Sequence, residues 1–249
     1  MTRPVYLDPN LPVCSPGHTY TLTGAEAHHA ATVRRTRSGE EIDVVDGDGG
    51  RLTLQVSAVA PHEVSGVVLE YRQDTAHSPK ITVVQALAKG GRDEQAVQMC
   101  TEFGADAFRP WAAMRSIVQW KGSKAIKGQE RWQAIAQAAA KQSRRSYLPH
   151  VDPVMTSKEL ARWIADIRAQ SSDTAIYVCH ESACEHLTSV IDRAAEHIVL
   201  IIGPEGGISD DECAVLMDSG AQCVLLGEHV LRSATAGAWA CAVLRAQVR

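Results

Sequence analysis

The chain has 249 residues, of which 45% are hydrophobic and 22% are charged, and its formal net charge is −4. This composition excludes a disordered, collagen-like or low-complexity protein, and the length suffices for one large domain or two moderate ones. No apolar run reaches the roughly 20 residues that a membrane helix needs, and residues 1–10 lack the apolar stretch of a signal peptide. The seven cysteines are an odd number without a CxxC spacing. We therefore expect a reduced, cytoplasmic protein with neither a disulfide framework nor a bound metal.

Basic residues are concentrated in one part of the chain. Nine Lys and Arg residues but a single acid, Glu130, lie between Arg109 and Arg145, whereas residues 148–220 contain four basic and thirteen acidic residues. A local positive region can bind a polyanion, because phosphate contacts act within a Debye length of about 8–10 Å. Four aromatic residues lie in or beside the same stretch: Trp111, Trp120, Trp132 and Tyr147. Aromatic side chains stack on unpaired RNA bases or pack in a core, so RNA binding and an ordinary solvated helix face both stay open.

Residues 1–73 are predicted to form a small β-barrel domain. Strands are predicted at 41–45, 51–56 and 64–71, and the second of these alternates apolar and polar residues as a half-buried strand does. The glycine-rich stretch between the first two strands is a turn signal. A short helix is predicted over 24–33, before a basic cluster. The polar segment 73–79 ends in proline and is predicted to be a linker.

From Lys80 onward, apolar strands alternate with helices. Strands are predicted at 81–87, 175–179, 197–202 and 224–226. Helices are predicted at 96–103, 131–143, 158–170, 183–195, 209–220 and 235–248. Because the strands are continuously apolar and lie between helices, the pattern predicts a mainly parallel sheet covered on both faces.

Three loops that follow predicted strands carry the candidate site residues. Residues 203–209 form a glycine-rich turn between a buried strand and a helix with a Ser-x-x-Glu capping pattern. Ligands of open α/β sheets bind beyond the carboxyl ends of strands, where glycine lets the backbone approach a ligand. Segments 226–237 and 179–182 also follow strands, so the three loops can enclose one pocket. No phosphate-binding fingerprint or GxSxG elbow is present, and the pair His180 and Cys184 is too little for a metal site.

Nearly the whole chain carries an ordered set of motifs. The principal motif is Gly203-Pro204-Glu205-Gly206-Gly207 with Ser209 and Glu212, followed by Leu226-Gly227, Leu231-Arg232 and Thr235-Ala236. Further motifs lie at 28–39, 85–92, 115–120 and 142–149. In this combination the chain resembles the SPOUT superfamily of RNA methyltransferases, and in particular its members that methylate N3 of a uridine in 16S ribosomal RNA.

The resemblance implies an α/β protein with an N-terminal PUA-like β-barrel over residues 1–73 and a C-terminal α/β trefoil-knot (SPOUT) methyltransferase domain over residues 80–249. It also implies S-adenosylmethionine as the cofactor, 16S rRNA in the small ribosomal subunit as the partner, and a homodimer. By position, the implied cofactor-binding residues are Cys179, Ile202, Gly203, Pro204, Glu205, Gly206, Gly207, Leu226, Gly227, Val230, Leu231, Thr235 and Ala236.

Arg232 and Glu205 are the candidate catalytic residues. Removal of a proton from the weakly acidic N3–H of uridine leaves negative charge, which Arg232 can stabilise, unless it forms a salt bridge that fixes the fold. Glu205 can orient the base, accept the proton or hold the cofactor loop. The candidate RNA-binding residues are Arg34, Arg35, Arg37, Lys89, Arg92, Arg115 and Arg144.

Two positions depart from the superfamily pattern. Ala234 stands where a glutamate usually precedes the Thr-Ala pair, and Ala88 stands where the loop after the first strand often has proline. Ala234 leaves open an rRNA-binding module without catalysis. A related methyltransferase that acts on a ribose 2′-OH or a tRNA base is a further alternative.

Overall fold

The computed structural model describes residues 3–247, which divide into two compact units. Unit 1 comprises residues 3–76 and 140–148, and unit 2 comprises residues 77–139 and 149–247. The change from unit 1 to unit 2 after residue 76 lies within the predicted linker. Segment 140–148 belongs to unit 1, although the sequence assigns it to the second domain. No helix in the described range is both long and apolar enough to cross a membrane.

Unit 1 is built on a five-stranded sheet. Its strands are β1 (Val5–Leu7), β2 (Thr19–Thr23), β3 (Glu41–Val45), β4 (Gly50–Ala60) and β5 (Glu63–Gln73), in the order β1-β3-β4-β5-β2. β1 is parallel to β3, and the other neighbours are antiparallel. α1 (Gly24–His28) follows β2 and continues as a π-helical turn over His29–Val33. The predicted strands and the short helix of this part are confirmed.

The core of unit 1 lies between one face of the sheet and this short helix. Leu22 of β2, Ile42 of β3 and Leu54 of β4 are buried there with Ala27 and Ala30. In β2 the buried residues alternate with exposed threonines, as expected for a strand with one face against a core.

A buried arginine ties segment 140–148 into unit 1. Arg51 is 6% exposed. Its Nη1 donates to Asp43 Oδ2 at 3.0 Å, its Nε donates to Asp74 Oδ2 at 3.0 Å, and its Nη2 donates to the Arg144 carbonyl at 2.9 Å. A guanidinium removed from water destabilises a fold unless its donors are satisfied, and here one of the three acceptors belongs to the distant segment.

Unit 2 contains a seven-stranded sheet in which all pairings are parallel. Its elements are β6 (Lys80–Ala86), α2 (Arg92–Glu102), β7 (Ala107–Ala112), α3 (Ser123–Gln142, whose last three residues belong to unit 1), β8 (His150–Val151), β9 (Met155–Thr156), α4 (Ser157–Gln170), β10 (Thr174–Cys179), α5 (Leu187–Val190), β11 (His197–Ile202), α6 (Asp210–Asp218), β12 (Gln222–Val224) and α7 (Ser233–Gln247). The main order is β12-β10-β11-β6-β7-β8, with β9 paired to β7. The predicted parallel sheet is confirmed.

Two cores cover the two faces of this sheet. On one face, strand residues pack with residues of α2, α3 and α7, such as Cys100, Trp132 and Leu244. On the other face, strand residues pack with α4 and α6, through Leu160 and Leu216. Successive strand side chains point to opposite faces, and this explains why strands buried on both sides are continuously apolar in sequence.

Two local predictions for unit 2 are wrong, and some of its strands were missed. The helix predicted over 183–195 is reduced to the four residues of α5, because the Glu185 carbonyl and the Leu187 N–H both bond to Leu225 and hold this segment extended. The helix predicted to begin at residue 131 begins at Ser123. Strand β7, with its central proline at position 110, was not predicted.

Candidate active site

The carboxyl ends of four parallel strands lie side by side in unit 2. Val224 of β12 pairs with Cys179 of β10, and Cys179 pairs in turn with Ile202 of β11. Ile202 pairs with Gln85 of β6. Neighbouring strands lie about 4.8 Å apart, so the loops that follow these four strands leave the sheet from one edge. These loops contain most of the residues that the sequence singled out.

The turn at 203–207 is packed closely against Arg115. A Cβ on Gly206 would lie 3.2 Å from Arg115 Cβ, so a side chain at this position would press against Arg115. Gly207 has φ +74°, which glycine adopts more readily than other residues. Its N–H donates to the Pro204 carbonyl at 2.9 Å, and Arg115 Nη1 donates to the Gly206 carbonyl at 3.1 Å. The backbone of the turn is therefore fixed from within and from outside.

Glu205 connects this turn to the loop after β6. Its Oε1 accepts hydrogen bonds from Arg92 Nη1 at 2.7 Å and from the Lys89 N–H at 3.3 Å. Burial opposes ionisation of the carboxyl, but the hydrogen bonds from Arg92 and from the backbone lower the pKa of Glu205 below its ordinary value. Glu205 is thus ionised at neutral pH and bound to a cation.

A chain of hydrogen bonds connects β6, the glycine turn and α7. Gln85 Nε2 donates to Ser233 Oγ at 2.9 Å, and Ser233 Oγ donates to the Gly203 carbonyl at 2.7 Å. Gln85 is fully buried, and its Oε1 accepts no hydrogen bond within residues 3–247. These contacts bring the first turn of α7, with Thr235 and Ala236, next to the turn that follows β11. Neither Gln85 nor Ser233 was predicted as a site residue, although Gln85 lies in a motif that the sequence analysis recognised.

The loop between β12 and α7 leaves backbone donors and space open. Among the described residues, no acceptor receives a hydrogen bond from the N–H groups of 226–231. A Cβ on Gly227 would meet no atom of this described range within 4 Å. Leu226 is buried, Leu231 is half-buried, and Val230 is 75% exposed. The loop can therefore bind a molecule through both backbone groups and apolar side chains.

Arg232 lies directly before α7 with its side chain exposed. Its carbonyl accepts hydrogen bonds from the N–H groups of Thr235 and Ala236, at 2.9 and 3.0 Å, and so begins the helix. The guanidinium has no ion-pair or hydrogen-bond partner in the described part of the chain. The salt bridge considered as its alternative role is thus not formed there, and the catalytic role stays a prediction.

Glu212 has a wider role than the predicted helix cap. Its side chain and the Ser209 side chain form a capping box at the start of α6. In addition, Glu212 Oε1 accepts hydrogen bonds from the Met114 N–H at 2.7 Å and from Ser157 Oγ at 2.6 Å. Burial opposes ionisation, but these hydrogen bonds lower the pKa of Glu212. One buried carboxylate therefore joins α6 to the segment after β7 and to α4.

The predicted RNA-binding residues fall into two groups. Arg34, Arg35, Arg37 and Arg144 belong to unit 1 and are exposed. Lys89, Arg92 and Arg115 belong to unit 2 and lie at the loops described above. Arg35 and Arg144 have φ values of +55° and +60°, and within residues 3–247 they are the two non-glycine residues with positive φ. Their RNA contacts stay a prediction.

Comparison with known proteins identifies the class to which this fold and site belong. A family model described as an RNA methyltransferase domain matches residues 76–245, and a model described as an RNA methyltransferase PUA domain matches residues 22–69. The protein is thus a PUA-containing RNA methyltransferase by family, and the predicted PUA-like and SPOUT α/β architecture is confirmed.

Individual relatives narrow this class. The chain is 40% identical over 222 residues to ribosomal RNA small subunit methyltransferase E of Mycobacterium bovis, covering 89% of this chain and 84% of the relative. It is 31% identical to the Bacillus subtilis protein of the same name, covering 92% and 90%. The chain belongs to the ribosomal RNA small subunit methyltransferase E family.

Solved structures agree with this assignment. The Neisseria gonorrhoeae ribosomal RNA small subunit methyltransferase E, crystallised with bound S-adenosyl methionine, has a TM-score of 0.83 and 28% identity and covers 98% of each chain. A Legionella pneumophila protein in complex with the bound cofactor SAM has a TM-score of 0.84 and 26% identity, and covers 99% of this chain and 98% of its own.

Proposed function

We propose that this protein transfers a methyl group from S-adenosylmethionine to N3 of a specific uridine in 16S rRNA. The observation that carries the proposal is the meeting of three loops at one sheet edge, where Ser233 bonds to Gly203 and Glu205 bonds to the loop after β6. The named relatives act on small-subunit rRNA by name, and the Neisseria gonorrhoeae structure holds the same methyl donor.

The residues at the sheet edge fit the chemistry of this cofactor. Adenine presents ring nitrogens that accept hydrogen bonds, and the loop at 226–231 offers backbone N–H groups without acceptors among the described residues. Gln85 Oε1 is a buried acceptor that lacks a donor within residues 3–247, which is a costly state unless a ligand or water supplies one. A Cβ on Gly227 would meet no atom of residues 3–247 within 4 Å, so a bound group can approach the backbone here next to Leu226 and Val230.

The chain's own residues would bind the cofactor, orient the uridine and neutralise the charge that develops during methyl transfer. When bound, S-adenosylmethionine supplies an electrophilic methyl group. The target uridine is drawn out of its stack so that N3 approaches this group. Arg232, whose guanidinium has no partner within residues 3–247, stabilises the negative charge that develops on the uridine imide.

For Glu205, the contacts support the loop-holding role among those considered. A carboxylate already paired with Arg92 and with a lowered pKa is a weak proton acceptor at neutral pH. The same pair fixes the loop after β6 to the glycine turn. Proton removal from N3 is then assigned to solvent assisted by the positive charge of Arg232.

Substrate, assembly and location complete the proposal. The exposed arginines of unit 1, Arg34, Arg35, Arg37 and Arg144, contact rRNA phosphates, and Lys89 contributes a further contact near the site. The active form is a homodimer in the cytoplasm, and its partner is the small ribosomal subunit. Ala234, where the superfamily usually has glutamate, lies buried on α7 at 4% exposure, so the proposed mechanism uses no carboxylate there.

Two measurements test the proposed function. Mass spectrometry of small-subunit rRNA from cells with and without this protein should show one methylated uridine that disappears with the gene. Reverse transcription should stop at that uridine, because a methyl group on N3 blocks base pairing. Titration calorimetry should show binding heat with S-adenosylmethionine. A methyl group on a ribose or on tRNA would overturn the substrate assignment, and the absence of cofactor heat would identify a binding module instead.

A further inference from the structure

An exposed basic and apolar surface lies at the start of α3. Lys121, Lys124 and Lys127 are exposed, and no side-chain partner for them is found between residues 3 and 247. Beside them in sequence, Ile117 is 71% exposed and Ile126 is 61% exposed. We call these five residues the α3 surface. None of them belongs to the candidate active site.

The packing of Trp120 holds the preceding loop against the helix. A Cβ on Gly128 would lie 2.5 Å from Trp120 Cε2, so the indole occupies the place of the missing side chain. Trp120 also meets Trp132 edge to face, with 5.2 Å between ring centroids. The Lys124 N–H donates to the Lys121 carbonyl at 3.2 Å. The segment that contains Ile117 and Lys121 is therefore fixed beside the first turns of α3.

Helix stability does not explain these lysines. The first turn of α3 contains no acidic residue. Cations near a helix N-terminus are disfavoured by the helix dipole, whereas an anion there is favoured. Lys124 and Lys127 are three residues apart and so share one side of the helix. An external polyanion would be attracted by the lysines and by the dipole together.

The α3 surface follows closely in sequence on Arg115, which contacts the glycine turn at 203–207. Arg115, two residues before Ile117, donates from Nη1 to the Gly206 carbonyl at 3.1 Å. A strand bound along residues 115–127 would thus run from the glycine turn towards α3. Arg131 lies one turn further along α3 but is paired with Glu94, so we do not include it in the α3 surface.

We propose that the α3 surface binds the unpaired RNA strand that flanks the target nucleotide, with the lysines at phosphates and Ile117 and Ile126 against bases. RNA is the occupant because its backbone complements three cations that lack partners within residues 3–247, and because its unpaired bases complement the exposed side chains of Ile117 and Ile126 beside them in sequence. This inference rests on the proposed function and names the surface that recognises its substrate.

The test compares two variants with the same change in charge. The first triple variant removes the lysines of the α3 surface and carries Lys121→Gln, Lys124→Gln and Lys127→Gln. The control variant removes three exposed cations elsewhere in unit 2 and carries Lys158→Gln, Arg162→Gln and Arg193→Gln. The affinity for a labelled 16S rRNA transcript is measured at several salt concentrations between about 50 and 200 mM. The slope of log affinity against log salt concentration reports the number of phosphate contacts.

We expect the first variant to bind the transcript roughly 10- to 100-fold more weakly, with a salt slope smaller by about two to three, while the control changes each quantity much less. Ile117→Ser should weaken binding without changing the slope. In methyl transfer, the lysine variant should raise KM for RNA and leave kcat and the heat of cofactor binding unchanged. Circular dichroism checks that each variant is folded.

An equal loss in both triple variants, or an unchanged salt slope in the lysine variant, would overturn the inference. A wild-type protein that binds the transcript but transfers no methyl group would contradict the proposed function instead. The comparison of salt slopes is still informative in that case, so the two failures are distinguishable.

Discussion

Arg232 and Glu205 carry opposite charges on neighbouring loops and have different surroundings. Glu205 is paired with Arg92, whereas the Arg232 guanidinium is exposed and has no partner in the described range. At the scale of single residues, this difference separates a group that holds the loops from a group that is available to substrate.

Arg232→Ala should strongly slow methyl transfer while leaving cofactor binding intact. Loss of a group that stabilises developing negative charge lowers kcat by roughly 10²- to 10³-fold. Because Arg232 begins α7 through its carbonyl and not its side chain, the fold and the cofactor loop should be unaffected. Single-turnover transfer and titration calorimetry measure the two properties, with Arg162→Ala as an exposed control. Loss of both together would refute the catalytic role.

Glu205→Gln and Arg92→Gln should behave as a coupled pair. Each should weaken cofactor affinity by about tenfold, which corresponds to the loss of one charge-assisted hydrogen bond of about 1.4 kcal/mol. The double variant should be no worse than either single variant, since the interaction is already lost. Calorimetry with the four proteins completes the cycle. If Glu205→Gln instead stops transfer at unchanged cofactor affinity, Glu205 accepts the proton.

At the scale of elements, glycines in two places have different functions. Gly237 lies where α7 packs on the sheet, and a Cβ there would lie 2.9 Å from Cys100 Sγ and 3.5 Å from Ile202 Cγ1. Gly227 lies in the loop before α7, where a Cβ would meet nothing from residues 3–247 within 4 Å. One glycine permits close packing, and the other keeps space open.

Gly237→Val should destabilise the fold, whereas Gly227→Ala should not. Overpacking a buried contact costs about 1–3 kcal/mol, so the first variant should unfold at lower urea concentration. Gly227→Ala should keep the wild-type midpoint but weaken cofactor binding, because its methyl group projects into the open space. Urea unfolding followed by tryptophan fluorescence, together with calorimetry, measures both effects. A stability loss in Gly227→Ala would mean that the space over this loop is needed for folding.

Many of the helices and strands could be predicted from the sequence. Apolar runs predicted β10 and β11, and the Ser209–Glu212 spacing predicted the start of α6. Long-range contacts were not accessible: the helix predicted over 183–195 is reduced to a short turn because that segment bonds to Leu225. For the same reason, motif spacing indicated the glycine loops but not the Gln85–Ser233 hydrogen bond, whose partners are 148 residues apart.

At the scale of the whole chain, Asp74 lies at the junction where segment 140–148 joins unit 1. Its Oδ2 accepts from Arg51, its Oδ1 accepts from Arg72, and its carbonyl accepts from the Tyr147 hydroxyl. Burial opposes ionisation of Asp74, but hydrogen bonds from Ser146, Arg72 and Arg51 lower its pKa from 3.8 to about 2. The ionised carboxylate therefore stabilises unit 1.

Asp74→Asn should lower the free energy of unfolding of unit 1 at neutral pH. The folded-state pKa is the lower one, so the stabilisation is complete above about pH 3.8 and is lost as pH falls towards about 2. The difference between wild type and variant should therefore shrink over that window. Hydrogen exchange of β4 and β5 measures it, with Glu70→Gln as the control. A difference that persists at pH 2 would contradict this account.

The bond from Arg115 to Gly206 has a thermodynamic consequence. If RNA bound along residues 115–127 draws this guanidinium to a phosphate, the glycine turn loses its external support, and the affinity for the methyl donor changes. Linkage requires the effect to be reciprocal, so the donor changes the affinity for RNA by the same factor. The Arg115 side chain would then couple the two binding sites, and the coupling would favour or disfavour the complex that holds both ligands.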